Sequence, residues 1–174
     1  MIYMVDHIYT DPATEREWHD LYAGYLPKLL SVPGLSTAQR FKAVGITPAR
    51  YLAMYSIESA AVYDSAGYKG IGGGGSQSAR FQKAYQLWTR NLFDGAVCAP
   101  KVADDEFLFA LDSDAPDDNL TRAFGNLLWL NSVGLHMTTK YRALAVLDEA
   151  GAKSAQRIGH GFVYAPLIPQ LTSL

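Results

Sequence analysis

Three side chains near the start of the sequence are suited to moving a proton or holding a developing negative charge: Tyr25, His19 and His7. Tyr25 lies within EREWHDLYAGYLPKLLSVPGLSTAQRF, residues 15–41. At ~100° per residue, Trp18, Leu21, Tyr22, Tyr25 and Leu29 share one helical face, flanked by His19, Leu26 and Leu30. A phenol in the middle of an apolar stripe can donate a hydrogen bond to an oxyanion or enolate in a pocket. It can equally be a core tyrosine whose hydroxyl meets a backbone carbonyl. With an ordinary pKa of about 10 it is a poorer base at neutral pH than histidine. His7 shares a strand face with Tyr3 and Tyr9, and either His7 or His19 could reach a site between helix and sheet.

Five further residues could bind a ligand: Tyr22, Arg40, Tyr55, Trp88 and Asn91. Arg40 and Tyr55 fall on expected strands, where an arginine could grip a carboxylate or phenolate or else pair with an acid at a sheet edge. Trp88 and Asn91 fall on or beside the buried stripe of an expected helix. Metal binding is not expected. The four histidines (7, 19, 136 and 160) show no H-x-H or H-x-x-x-H spacing, and the single Cys98 has no partner nearby. No Ser-His-Asp or Cys-His set has a recognisable local motif. The run GIGGGG at 70–75 formally fits G-x-G-x-x-G, but a helical stretch rather than a strand precedes it, so a nucleotide site is disfavoured. A hinge or lid is the better reading, although free N–H groups at 76–79 could hold an anion beside Arg80. No cofactor is expected.

These residues need elements to place them. Ile2 to Tyr9 reads as a strand apolar on both faces, and TDPATE as the start of a helix that Pro33-Gly34 ends. Strands follow at 35–44 and 51–57, joined by a short turn that argues for an antiparallel hairpin. Residues 58–69 have helical character, and the spacing of Phe81, Ala84, Tyr85, Trp88 and Leu92 predicts a helix over 77–93. The order β-α-β-β-α needs one more strand, from 106–112 or the stretch before it, to complete a ferredoxin-like βαββαβ unit. The remainder predicts strands at 106–112, 127–133, 140–147 and 161–165, with helical stretches at 117–125 and 149–156. Two short internal matches suggest a degenerate second copy: 29–41 with 129–141, and 52–60 with 144–152. The expected division is therefore 1–105 and 106–174, two ferredoxin-like units sharing one packed body.

Composition sets the outer bounds. The 174 residues are 49% hydrophobic and 18% charged with a net charge of −2, and no basic run suggests nucleic acid or a membrane surface. Eleven tyrosines against seven phenylalanines and three tryptophans favour either a hydroxyl-rich pocket or tyrosine-rich packing. One cysteine fits a reducing compartment, and neither a signal peptide nor an apolar span is evident, so a cytoplasmic location is expected.

With the elements placed, the chain resembles the dimeric α+β barrel superfamily, which includes EthD-like proteins and antibiotic-biosynthesis monooxygenases. The resemblance rests on the β-α-β-β-α order and on EWHDLYAGYLPKLLSVPGLSTAQRF, YLAMYSIES, GIGGGGSQSARF and RNLFDG, and covers residues 1–111 best. The most similar subgroup has a helix of the form E-W-x-x-W-Y-x-x-H, whose histidine falls at Tyr25 here and whose second tryptophan is replaced at Leu21. The resemblance implies an α+β fold of ferredoxin-like units pairing sheet to sheet, between chains as a homodimer or between the two halves of one chain, with a pocket between sheet and helices. It also implies small-molecule chemistry without a cofactor. The expectation is proton-transfer chemistry of the cyclase, isomerase or lyase type on an oxygenated aromatic or polyketide-like compound. A non-catalytic ligand-binding or accessory protein and a cofactor-free monooxygenase are the alternatives.

Overall fold

The computed structural model describes residues 1–173 as an α+β protein built on a closed antiparallel barrel. The first half contributes strands β1 (Ile2–Tyr9), β2 (Leu35–Ala43), β3 (Ala49–Ile57) and β4 (Tyr85–Asp94), with helix α1 (Glu15–Leu30) between β1 and β2. A 3₁₀ turn (Ala60–Asp64), the short helix α2 (Ala66–Gly70) and a longer 3₁₀ segment (Ser76–Ala84) join β3 to β4. The second half runs β5 (Phe107–Ser113), α3 (Asp118–Phe124), β6 (Leu128–Leu135), β7 (Tyr141–Leu147), α4 (Glu149–Ile158) and β8 (Phe162–Pro166). A two-residue strand, β9 (Leu171–Thr172), pairs with β2 beyond the end of β8.

Strand order is β2-β3-β1-β4 in the first half and β6-β7-β5-β8 in the second. Two antiparallel seams, β4 on β6 and β2 on β8, join them into an eight-stranded ring. The sheet-to-sheet pairing that the resemblance places between chains or between halves is thus made within one chain. Alternation along each strand sends one set of side chains inward and the other outward. Ile2, Met4, Phe41, Leu52, Met54, Phe93, Leu108 and Tyr164 pack in one cluster inside the barrel. Outside, α1 lays Leu26 and Leu29 on Tyr3, Val5, Ala38 and Tyr55, while α4 lays Ala152 and Ala155 on Phe109, Ala145 and Val163. Each fully buried leucine of α1 contributes about 1.5–3 kcal/mol.

Helix α1 starts and stops for local reasons. Asp11 accepts from the Ala13 N–H at 3.1 Å, and Glu15 and Glu17 sit in the first, electropositive turn. At the other end Gly34 has φ +89°, and a methyl group added there would meet Val62 at 2.6 Å.

One expected element is overturned. Residues 77–93 are not a helix: Ser76–Ala84 is a 3₁₀ segment, and Tyr85–Asp94 is a strand paired with β1 from Tyr9↔Tyr85 to Ile2↔Phe93. The i, i+3, i+4 spacing is real, but the ladder partner on β1 overrides it, and Tyr85, Trp88, Thr89 and Phe93 favour strands. A register shift opposite Asp6–Ile8, with Leu87 at φ +50°, breaks the alternation that would have disclosed β4. The stretch before 106–112 therefore supplies the fourth strand, and β5 opens the second half. Of the two internal matches, 52–60 and 144–152 fall on β3 and β7, the third strands of their halves; 29–41 and 129–141 do not fall on equivalent elements.

Inside the barrel lies a charge cluster that bridges the halves. Arg142 of β7 donates to Asp6 of β1 at 2.6 Å and to Asp112 of β5 at 2.6 and 3.0 Å. Arg50 stands 3.6 Å from the other oxygen of Asp6 and donates to the Tyr164 hydroxyl at 3.1 Å. Asp6 and Arg142 are both almost fully buried. Removing Arg142 leaves buried Asp6 with only Arg50, 3.6 Å away, to offset it, and breaking a buried pair costs about 3–5 kcal/mol. Arg142→Met is accordingly expected to lower the unfolding free energy by about that amount in urea titration, far more than Lys153→Met at the exposed Lys153–Glu149 pair.

Candidate active site beneath helix α1

The outward face of the first-half sheet and the buried stripe of α1 meet over an aromatic layer. Trp18 is fully buried, packed on Tyr9 and Tyr51, and donates from its indole to the Tyr85 hydroxyl at 2.8 Å. One turn further along, a cavity of about 40 Å³ lies between α1 and the sheet, room for two or three waters. Tyr22 and Tyr25 of α1, Val5 and Tyr55 of the sheet, and Trp88 of β4 line it. The glycine run covers it: Gly74 and Gly75 lie on its wall, with Gly72, Gly74 and Gly75 all at positive φ. Tyr68 holds that cover, since Gly74 donates its N–H to the Tyr68 hydroxyl at 2.9 Å. Trp88 closes the side, near enough to Gly75 that a methyl group there would meet its ring at 3.4 Å.

The tyrosines here are proton donors rather than bases. Burial, reinforced by neighbouring tyrosines, pushes Tyr22, Tyr25 and Tyr55 well above the ordinary phenol value, and no side-chain hydrogen bond offsets that rise. Among the described residues none of these three hydroxyls has a hydrogen-bond partner, in contrast to Tyr9, bonded to Thr14, and Tyr51, bonded to Glu15. Unspent donors converging on a small cavity are what an enolate or carbonyl oxygen requires.

Next to the cavity, Arg40 is buried with its guanidinium over the rings of Tyr22 and Trp18, at 4.0 and 4.6 Å. It donates to Nδ1 of His19 at 3.2 Å. That contact makes Nδ1 an acceptor, and burial together with the Arg40 charge holds the His19 pKa down to about 4. His7 lies deeper, among Trp18, Tyr51 and Tyr85, and neither of its ring nitrogens has a partner. Burial, then the charges of Arg40 and Arg50, lower its pKa to about 3. Both imidazoles are neutral at physiological pH and too weakly basic for the general-base role that an ordinary histidine pKa would suit.

Of the eight residues singled out in the sequence, seven lie in or around this layer: Tyr22, Tyr25, Tyr55 and Trp88 on the cavity, Arg40 and His19 beside it, and His7 beneath Trp18. Asn91 does not. As a strand residue it faces the barrel interior, where its side chain donates to the Thr138 hydroxyl and accepts from the Thr138 N–H, both at 2.9 Å. Arg90, which helical arithmetic places on the far side, is on the cavity side instead, with its guanidinium 5.0 Å from the Trp88 ring centre. Tyr3 and Tyr68 also line the cavity; Tyr3 was readable from its strand face, whereas Tyr68 sits in an irregular connection that no periodicity marks. Among the described residues no group of three potential metal ligands gathers, and no helix is long and apolar enough to cross a membrane.

Comparison with known proteins supports the architecture. No family model matches the chain, and no curated protein sequence does. Among solved structures, an anthrone oxidase-like protein superposes with a TM-score of 0.61 at 12% identity, over 99% of this chain and 93% of that one. A candidate monooxygenase from Fusobacterium nucleatum gives 0.57 at 10% identity, over 99% and 95%. Another from Lactobacillus acidophilus gives 0.53 at 7% identity, over 99% and 96%. At such identities the likeness establishes the fold alone.

The orphaned imidazole of His7 has a measurable signature. Its folded pKa of about 3 lies below the ordinary 6.5, so protonation favours the unfolded chain. The stability it permits is complete above pH 6.5 and declines as pH falls toward about 3, with a slope of at most about 1.4 kcal/mol per pH unit. His7→Phe keeps an aromatic ring against Trp18 and removes the titration. It is expected to flatten the acid limb of stability, followed by urea titration across that range, and to leave stability at neutral pH equal or higher.

Proposed function

We propose that the chain is a small-molecule enzyme acting on an oxygenated aromatic or polyketide-like compound in the cavity under α1. The observation that carries this reading is the set of unpartnered, neutral hydroxyls of Tyr22, Tyr25 and Tyr55 converging on one covered cavity. In the proposed reaction a substrate carbonyl or enol oxygen accepts from Tyr25, so that negative charge developing on that oxygen is stabilised as a neighbouring, acidified C–H bond gives up its proton to a water molecule. Cyclisation, isomerisation or elimination can each follow from such an enolate, and none of them needs a cofactor. Arg40 adds a positive charge close by, and His19 orients Arg40 rather than taking the proton. His7 is a structural neighbour of Trp18 in this scheme.

The names of the structural neighbours favour a second outcome for the same enolate. An electron-rich carbanion can react with O₂, converting a ring CH₂ to a carbonyl with release of water. That chemistry would make the chain a cofactor-free monooxygenase of the EthD-like or antibiotic-biosynthesis-monooxygenase-like kind. The two halves, 1–105 and 106–174, read as ferredoxin-like units of which the second is a degenerate copy, and any homodimer would form outside the barrel seams. The cavity is smaller than an aromatic ligand, so the cover at 72–75 and Trp88 must move for substrate to enter.

Anthrone is the first compound to test. Oxygen uptake with formation of the quinone would place the chain in the second group, and an anaerobic change in the spectrum of an enolisable aromatic ketone would place it in the first. In either case Tyr25→Phe is expected to lower turnover about 10²–10³-fold with little change in stability. Full turnover in that variant would remove Tyr25 from the mechanism.

A further inference from the structure

The cavity has positive charges on its flanks and, among the described residues, no negative charge to meet them. In the register of β2, β3, β1 and β4, Arg40, Ala53, Val5 and Arg90 lie in one row across the sheet. Val5 is part of the cavity floor, and along the sheet only the methyl group of Ala53 stands between Val5 and Arg40. Arg40 therefore stands at one end of the row and Arg90 at the other. Neither forms a salt bridge with any carboxylate among the described residues. The polar side-chain contact of Arg40 is the neutral Nδ1 of His19, and the rest of its guanidinium lies on Trp18 and Tyr22. The Nε of Arg90 is buried with no partner, and its Nη1 is close enough to Gly74 that a methyl group there would meet it at 3.3 Å.

The acids nearby are engaged elsewhere. Glu15 is bonded to Tyr51 and paired with Lys42, and Glu17 pairs with Arg80 at the surface. No aspartate or glutamate among the described residues lines the cavity. A buried guanidinium normally has a carboxylate or several hydrogen bonds to offset its lost hydration, as Arg142 has on the other side of the same sheet. Aromatic faces recover only part of that loss. The unmet donors of both arginines are thus left available to something that enters from the cavity. Tyr22, which stands between Arg40 and the cavity, forms the partition that a ligand would displace or slide along.

We infer that the ligand is an aromatic anion. A flat apolar body would fill the tyrosine-lined space, and a carboxylate or ionised phenol on it would sit in the combined field of Arg40 on the β2 side and Arg90 on the lid side. This rests on the cavity under α1 being the ligand site and narrows its substrate class to acidic aromatics. It also gives the lid a role: Gly74 lies against Arg90 and Trp88 against both Gly75 and Arg90, so an anion drawn to Arg90 would engage the cover directly.

Calorimetric titration of the whole chain with 2-naphthoate and with 2-naphthamide, a neutral probe of nearly the same shape, tests the inference. The naphthoate is expected to bind at least about tenfold more tightly, the effect of one charge-assisted hydrogen bond. Arg90→Met, at the half-buried rim, should reduce that preference severalfold, and Arg40→Met should abolish it. If Arg40→Met does not fold, judged by circular dichroism, Arg90→Met alone decides: an undiminished preference in it overturns the inference. Equal affinity of the two probes for the unaltered protein also overturns the inference while leaving the cavity as a ligand site. Binding of neither probe overturns both readings. Displacement of bound naphthoate by 2-naphthol at alkaline but not at neutral pH would extend the site to ionised phenols and support the inference.

Discussion

Inside the barrel, the carboxylate of Asp6 receives Arg142 from the opposite half at 2.6 Å, and the face-to-face order of the whole sheet depends on that contact. A strand alternates strictly, so fixing Asp6 inward fixes Ile2 and Met4 inward with it and turns Tyr3, Val5 and His7 outward under α1. A one-residue slip of β1 would bury His7 among aliphatic side chains and put an unpaired carboxylate against Trp18. The register that satisfies the ion pair is therefore the same register that builds the cavity floor. Arg50 and Asp112 extend the cluster to β3 and β5, so the charge network and the hydrogen-bonded seams close the ring at the same place.

The two faces of the sheet have opposite treatments of polar groups. On the inner face the buried charges and amides are met: Arg142 by two carboxylates, Asn91 by Thr138, and Gln39 by the backbone of Val102 through both its oxygen and its nitrogen. On the outer face beneath α1 several are not: His7 has two idle nitrogens, Arg90 an idle Nε and Tyr63 an idle hydroxyl. Each unsatisfied buried group costs about 1–3 kcal/mol. The inner face, with Ser132 Oγ its one unpaired buried side-chain atom among the described residues, holds the barrel together, and the outer face beneath α1 carries the open groups on which the proposed site rests.

Much of this was legible from residue order, and what was not has physical causes. The stripe Trp18, Leu21, Tyr22, Tyr25 and Leu29 gave α1 and its buried face correctly, because a helix that packs on a sheet must carry such a stripe. The second-half elements followed from short β-rich runs bounded by Asp, Gly and Pro. Helix 77–93 failed because Tyr85, Trp88 and Leu92 satisfy a helical spacing by coincidence, while the bulge at Leu87 hides the strand period. With β4 misread, Asn91 went to the wrong face and Arg90 was overlooked. The ion pair of Asp6 with Arg142 lay outside any local reading: its partners are 136 residues apart, and only the closed ring brings them together.

Tyr25 illustrates how a substitution in a shared pattern should be read. A histidine at this place on the helix would offer a base; a buried phenol with its pKa raised offers a proton that it does not give up. The other groups around the cavity changed in the same sense, since His19 and His7 are held neutral by burial and by Arg40. The environment is thus positive, desolvated and rich in hydrogen-bond donors, with little basicity of its own. For an acidic group in these surroundings Arg40 and the hydroxyl donors favour the anion while burial opposes it, and for Tyr22 and Tyr55 burial outweighs Arg40. On the proposed reading the donors are spent on a substrate oxygen, and a tyrosine suits a donor's place where the pattern has a histidine.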